Sequence, residues 1–268
     1  MFRYMLAPIE DYSGPVLRKL CFDNGCDLTF SEMTRVEGII RKNKATLSKI
    51  EIKDDTPMQI QLLPGNESQL KRYISTFEPS GGFCGFNLNL CCPSKNITKY
   101  GRGGAMVKRI AKTNKLLRVI HDAGYATSIK LTLGLNQFEK TNKVYLHNII
   151  ETNADFYVVQ AKTSIQKSSV EYDYSVLSEC VDSGKEIIAN GCIDSIAKVD
   201  LIKKTGCKGV MIGRSAVLNP AIFNELKGKK VKSLEKLKQD YSILSQKYDE
   251  KDKYYTNFLK VIETNRFE

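Results

Sequence analysis

The chain has no tryptophan, only two histidines (His121 and His147), and no Cys-x-x-Cys pair among its eight cysteines. These absences rule out the usual spacings of zinc sites, so no bound metal is expected. No run approaches the ~18 apolar residues that a membrane-spanning helix needs. The first residues also lack the layout of a secretory leader. Neither a membrane span nor export is therefore expected, and Cys21, Cys26, Cys84, Cys91, Cys92, Cys180, Cys192 and Cys207 read as reduced thiols of a cytoplasmic, monomeric protein. The most informative absence is of one sign of charge. From Pro79 to His121, 43 residues contain no Asp or Glu. The same run carries Lys95, Lys99, Arg102, Lys108, Arg109, Lys112, Lys115 and Arg118, within a net charge of +11. Ordinary surfaces mix both signs, so this run points to a polyanionic partner, nucleic acid first.

What is present suits an α/β fold. A chain of 268 residues accommodates one (β/α)8 TIM barrel with a small appendage. Strand-like runs at 3–8, 27–30, 57–63, 83–90, 126–133, 155–160, 186–189 and 208–212 alternate with helical patterns. Eight strands in such alternation argue for a closed parallel barrel over residues 1–226 rather than an open sheet. One of the helices is expected over 104–122, with Val107, Ile110, Ala111, Leu117 and Ile120 inward and the cations outward. After a linker-like 227–232, Leu234, Leu237, Tyr241 and Leu244, then Tyr255, Phe258, Leu259 and Ile262, recur at helical spacing. They predict a short helical extension over 227–268, packed on the barrel and a candidate for contact with RNA.

The stretch Phe83–Met106 organises the chemistry. An apolar strand breaks at Cys91-Cys92-Pro93-Ser94, where Pro93 cannot donate to a sheet ladder. A thiol on a loop at a strand end is well placed to react. Barrel chemistry gathers at the C-terminal strand ends, where the sequence places Ala7-Pro8, Gln61, Asn89 with Cys92, Lys130, Gln160 with Lys162, Asn190-Gly191 and Gly213-Arg214. One polar group per strand, with glycine turns after the last two, fits a phosphate-bearing cofactor. The Gly101-Arg102-Gly103-Gly104 run is not a dinucleotide fingerprint, because Met106 stands where a third glycine is needed.

The signature Asn89-Leu90-Cys91-Cys92-Pro93-Ser94, followed by Gly101-Arg102-Gly103-Gly104-Ala105, resembles the tRNA-dihydrouridine synthase family. Segments LAPIEDYS, GCDLTFSEM, QIQLLPG, SIKLTLG, ANGCI and GVMIGRSAVLNPAIF extend the resemblance along the whole barrel, and the chain would be a short member. The resemblance implies FMN in the barrel mouth, NADPH or NADH as reductant, and reduction of uridine to 5,6-dihydrouridine in tRNA. It implies Cys92 as the catalytic proton donor. It implies cofactor contacts from Ala7, Pro8, Gln61, Lys130, Gln160, Asn190, Gly191, Gly213 and Arg214, and substrate contacts from Asn89, Lys95, Arg102, Lys108, Arg109 and Lys162. The chain departs from the family pattern at Cys91, where glycine is usual, at Gln160 and Lys162, in place of His and Arg, and at Thr132, in place of Arg. Two other readings stay open: an FMN-dependent barrel acting on a free dihydroorotate- or dihydropyrimidine-like molecule, and an RNA-binding barrel without redox chemistry.

Overall fold

In a computed structural model that describes every residue except Ser168, Val170 and Glu268, nine strands form one parallel sheet. They are β1 (Arg3–Leu6), β2 (Thr29–Phe30), β3 (Thr34–Arg35), β4 (Met58–Leu63), β5 (Phe83–Leu90), β6 (Thr127–Thr132), β7 (Phe156–Gln160), β8 (Ile187–Asn190) and β9 (Gly209–Ile212). The order β1-β9-β8-β7-β6-β5-β4-β2 curls back on itself, and β3 adds to the upper end of β4. A bridge between Met5 and Leu28, with Leu6 N–H donating to Leu28 O at 3.0 Å, closes β1 onto β2. The fold is the expected (β/α)8 barrel.

Side-chain alternation divides inside from outside. Ile60, Leu62, Phe86, Leu88, Ile129, Leu131, Tyr157 and Val159 belong to the large core packed with the surrounding helices. The barrel interior has two unlike halves. Met5, Ala7, Leu28, Phe30, Phe156, Val158, Ile188 and Met211 fill one side with apolar bulk. Across from them Gln59, Gln61, Asn87, Asn89, Ser128 and Lys130 on β4, β5 and β6 are buried and polar.

Three regions differ from the sequence expectation. The second strand shrinks to two residues, and β3 with the helices Val36–Ile40 and Lys44–Lys49 occupies a segment with no periodic signal. The helix expected over 104–122 is a 3-10 turn, Gly103–Met106, and then a helix, Ile110–His121. The chain breaks between them because Gly104 N–H is drawn to Cys92 O at 3.0 Å, and Arg109 leaves helical geometry with ψ 59°. The inward face is consequently Thr113, Leu116, Leu117 and Ile120, and Ala111 is exposed.

The extension is a hairpin of helices Leu234–Tyr248 and Asp252–Thr264. The Tyr241 ring stacks on Phe258 at 3.8 Å, and Leu234 is left exposed. Tyr254 donates to Glu32, Asn257 Nδ2 donates to Asp11 O at 3.2 Å, and Lys253 pairs with Asp11 at 2.6 Å. These bonds tie the second helix to the rim of the barrel mouth. Among the described residues, no helix is long and apolar enough to cross a membrane.

Candidate active site

The polar half of the interior is one connected file of hydrogen bonds. Asn89 Nδ2 donates to Gln61 Oε1 at 2.8 Å, and Gln61 Nε2 donates to Asn87 Oδ1 at 2.7 Å. Asn87 Nδ2 donates to Ser128 Oγ at 2.7 Å, and Ser128 donates in turn to Gln59 Oε1. Every group is buried, so each would cost about 1–3 kcal/mol if left without a partner. At the upper end, Asn89 Oδ1 accepts from the backbone N–H groups of Cys91 (3.1 Å) and Cys92 (3.0 Å). Asn89 thereby holds the cysteine loop from below. From the side, the loop is held by the turn at Gly104, whose approach leaves no room for a side chain: a Cβ there would lie 2.0 Å from Ser164 Oγ.

The two adjacent cysteines have different surroundings. Cys91 is buried, and its sulfur accepts from Lys130 Nζ at 3.5 Å. Cys92 is half-buried and lines a cavity of about 770 Å³ with Glu10, Arg35, Arg41, Lys49 and Arg102. Burial pushes both thiols up, against the charge of Lys130 for Cys91 and the N–H of Ser94 for Cys92. Both are therefore protonated at neutral pH, and Cys92 can give a proton up.

A second cavity, about 530 Å³, opens at the ends of β1, β6, β7, β8 and β9. Ala7, Pro8, Lys130, Gln160, Asn190, Gly191, Gly213 and Arg214 all line it. Lys130 also donates to Gln160 Oε1 at 3.3 Å, and Asn190 Nδ2 donates to Met211 O at 2.8 Å. Gly191 has φ +122°, and the Tyr172 ring lies 2.1 Å from where its Cβ would be, so only glycine fits. Lys130 and Lys162 are buried without a carboxylate partner among the described residues. Burial, with Lys130 and Arg214 behind it, pushes the Lys162 ammonium down. A mouth lined by the buried Lys130 and by Arg214, with Lys162 buried behind it and glycine turns on its rim, suits an anionic, phosphate-bearing group.

Other residues singled out from the sequence lie elsewhere. Gln61 does not line this cavity; both ends of its amide are spent inside the barrel, 1% exposed. Asn89 is likewise committed to Gln61 and the loop backbone. Lys162 donates to Gln166 O at 2.5 Å on the Lys130 side, not the Cys92 side. Arg102 lines the Cys92 cavity, paired with Glu37 at 2.5 Å. Lys95 is exposed in the first turn of the short helix Lys95–Thr98. Lys108 and Arg109 are exposed ahead of the helix Ile110–His121, and Lys108 pairs with Glu139 at 2.8 Å.

Sequence reasoning missed Asn87, Gln59 and Ser128, although QIQLL, NLNL and SIKLT carry a signal. Parallel barrel strands are normally near-continuous apolar runs, so strict alternation with amides marks a polar interior. It also missed Arg35, Arg41, Tyr172 and Cys192, which stand in loops or short elements with no periodic pattern.

A family model described as dihydrouridine synthase (Dus) matches residues 5–266. A probable tRNA-dihydrouridine synthase of Helicobacter pylori (strain ATCC 700392 / 26695) is 27% identical over 259 residues, covering 93% of this chain and 77% of the relative. A probable tRNA-dihydrouridine synthase of Treponema pallidum (strain Nichols) is 25% identical over 236 residues, covering 82% and 68%. Among solved structures, the old yellow enzyme from Trypanosoma cruzi superposes with a TM-score of 0.54 at 11% identity, over 89% of this chain and 91% of that one. A morphinone reductase solved with tetrahydroNAD superposes with a TM-score of 0.56 at 10% identity, over 89% and 90%. These last two share the fold.

Proposed function

The chain belongs to the dihydrouridine synthase family, and from that premise we propose that it reduces uridine to 5,6-dihydrouridine in tRNA with a bound FMN. The observation that carries this reading is the divergence of the two adjacent cysteines. Cys91 turns to the Lys130 of one cavity, and Cys92 lines the other. The two cavities flank one cysteine loop, so a base that enters past Cys92 is brought up against a cofactor seated beside Lys130.

We assign the chamber of Lys130, Gln160 and Asn190 to FMN, with its phosphate at Gly191 and the Gly213-Arg214 turn. The donor set fits: the buried Lys130 and the rim Arg214 offer charge to an anionic group, and Gly191 admits no side chain. When bound, FMN supplies a hydride to C6 of the uracil, its electrons coming from NADPH or NADH. Cys92 is the general acid. Its Sγ–H gives a proton to C5, the electron pair at C5 forms the new C–H bond, and the thiolate takes a proton back from water. Asn89 keeps the thiol aimed by fixing the backbone N–H of Cys92. The reacting base has to leave its stack to reach this thiol. Residues 1–226 supply the chemistry, and the hairpin over 227–268 buttresses the rim.

The test uses the purified full chain. It should be yellow, release FMN on denaturation, and form dihydrouridine in tRNA from a strain deleted for this gene when given NADPH or NADH. Colourless protein that ignores added FMN, or flavin-loaded protein that leaves such tRNA unchanged, overturns the assignment.

A further inference from the structure

The walls of the Cys92 cavity are charged in a way that a neutral base does not require. Four cations line it: Arg35, Arg41, Lys49 and Arg102. Two are neutralised within the wall. Lys49 pairs with Glu10 and lies 3.5 Å from the buried Glu32, and Arg102 pairs with Glu37. The other two, Arg35 and Arg41, are exposed and have no ion-pair partner among the described residues. Both are held on short, braced elements. Arg35 ends β3, in register with Leu63 of β4, and Arg41 closes the helix Val36–Ile40 with its N–H on Glu37 O at 3.2 Å. Both line the same cavity as the Cys92 thiol.

We propose that Arg35 and Arg41 form a clamp for the phosphodiesters flanking the base presented to Cys92. The proposal rests on the nucleic-acid substrate argued above and adds the part of the strand that is gripped. Guanidinium is suited to this, because its planar fork matches two phosphate oxygens at once. A nucleotide with its base at the thiol brings a phosphate on either side, and the two uncompensated arginines line that same chamber. The grip is therefore on the backbone, and it favours a strand over a free base or nucleoside.

The experiment measures binding of labelled oligouridylate to the FMN-loaded full chain across a salt series, together with protection of Cys92 from iodoacetamide. Each protein is compared with its own rate without RNA. Wild-type protein should bind with salt-dependent affinity and protect Cys92. The double variant Arg35→Gln/Arg41→Gln should flatten the log–log salt slope by about 1.4, at ~0.7 per single-strand contact, and lose the protection. Arg35→Lys/Arg41→Lys should keep most of the slope. An unchanged slope in the glutamine variant overturns the clamp, as does oligouridylate that binds without protecting Cys92. If protection depends on the arginines yet tRNA is never reduced, the clamp stands and the proposed reaction falls.

Discussion

The Lys130 ammonium donates to the sulfur of Cys91 at 3.5 Å, while Cys92, one residue on, faces the other chamber. The division predicts opposite phenotypes. Cys92→Ala should keep its flavin and lose ~10²–10⁴-fold in turnover, the usual cost of a general acid. Cys91→Gly should retain most turnover. Its cost should appear in stability, at about 1 kcal/mol, because Lys130 loses an acceptor. Single-turnover assays and thermal melts with and without FMN separate the two. The converse pattern would make Cys91 the donor.

Asn89 is a strut for the cysteine loop, and its loss should be felt in both stability and turnover. Asn89→Ala removes the acceptor of two backbone N–H groups and the donor to Gln61. We expect a loss of about 3 kcal/mol or more in urea unfolding, at ~1–3 kcal/mol for each of the three stranded groups. In the fraction that stays folded, turnover should drop while flavin affinity holds. An Asn89→Ala variant with wild-type stability would show that the file is dispensable.

The cations outside the helix Ile110–His121 should not act as a set. Lys108 is paired with Glu139, and half-buried Lys112 donates to Gly65 O at 3.0 Å. Burial, with Arg109 and Arg102 nearby, pushes the Lys112 ammonium down. Arg109 and Lys115 remain exposed. Arg109→Ala/Lys115→Ala should flatten the salt slope of tRNA binding by at most ~1.8, at about 0.9 per duplex phosphate. Lys108→Ala should leave the slope alone and lower the melting temperature instead, because it strips a partner from the buried Glu139.

Docking of the C-terminal hairpin should weaken as pH rises. Burial pushes the Glu250 carboxyl, at the turn between the two helices, up to about 7, while Ser245 Oγ donates to it at 3.3 Å. A carboxyl with a raised folded pKa favours the protonated, folded form. Its contribution is fully present below the unfolded value of ~4.3, and is lost as pH climbs through about 7. Glu250→Gln, which cannot ionise, should therefore melt higher than wild type at pH 8, by on the order of 1–3 kcal/mol, and alike at pH 4. Equal melting at both pH values would remove Glu250 as the titrating group.

The barrel could be read before the structure because its evidence is periodic. Runs such as MQIQLL and FCGFNLNL mark strands, and Leu117 and Ile120 mark a helix. The rim residues Lys130, Gln160, Asn190 and Gly213 were legible for the same reason, since a strand's end can be counted from its start. Residues brought in by non-periodic segments were not. Tyr172 reaches Gly191 from a loop, and Arg35 and Arg41 reach Cys92 from a segment of short elements. The helix after the cysteine loop was misread at its start, because Gly104 answers to Cys92 O and Ser164, partners remote from any local pattern. The hydrogen bonds of Gln61 were not legible for a related reason. Its position on β4 is periodic, but its commitment to Asn87 and Asn89 depends on which strands become neighbours.

The amides inside the barrel all point one way. Cys92 gives to Asn89, Asn89 to Gln61, Gln61 to Asn87, Asn87 to Ser128 and Ser128 to Gln59. Such a queue has a direction, and turning a single amide around sets donor against donor on one side and acceptor against acceptor on the other. The two backbone N–H groups on Asn89 Oδ1 can only donate, so they fix the sense of every member below, and each polarises the next. Gln59, at the far end, therefore has a say in the posture of a thiol it never touches. A change there should travel upward as a mismatch passed from hand to hand until it reaches the loop.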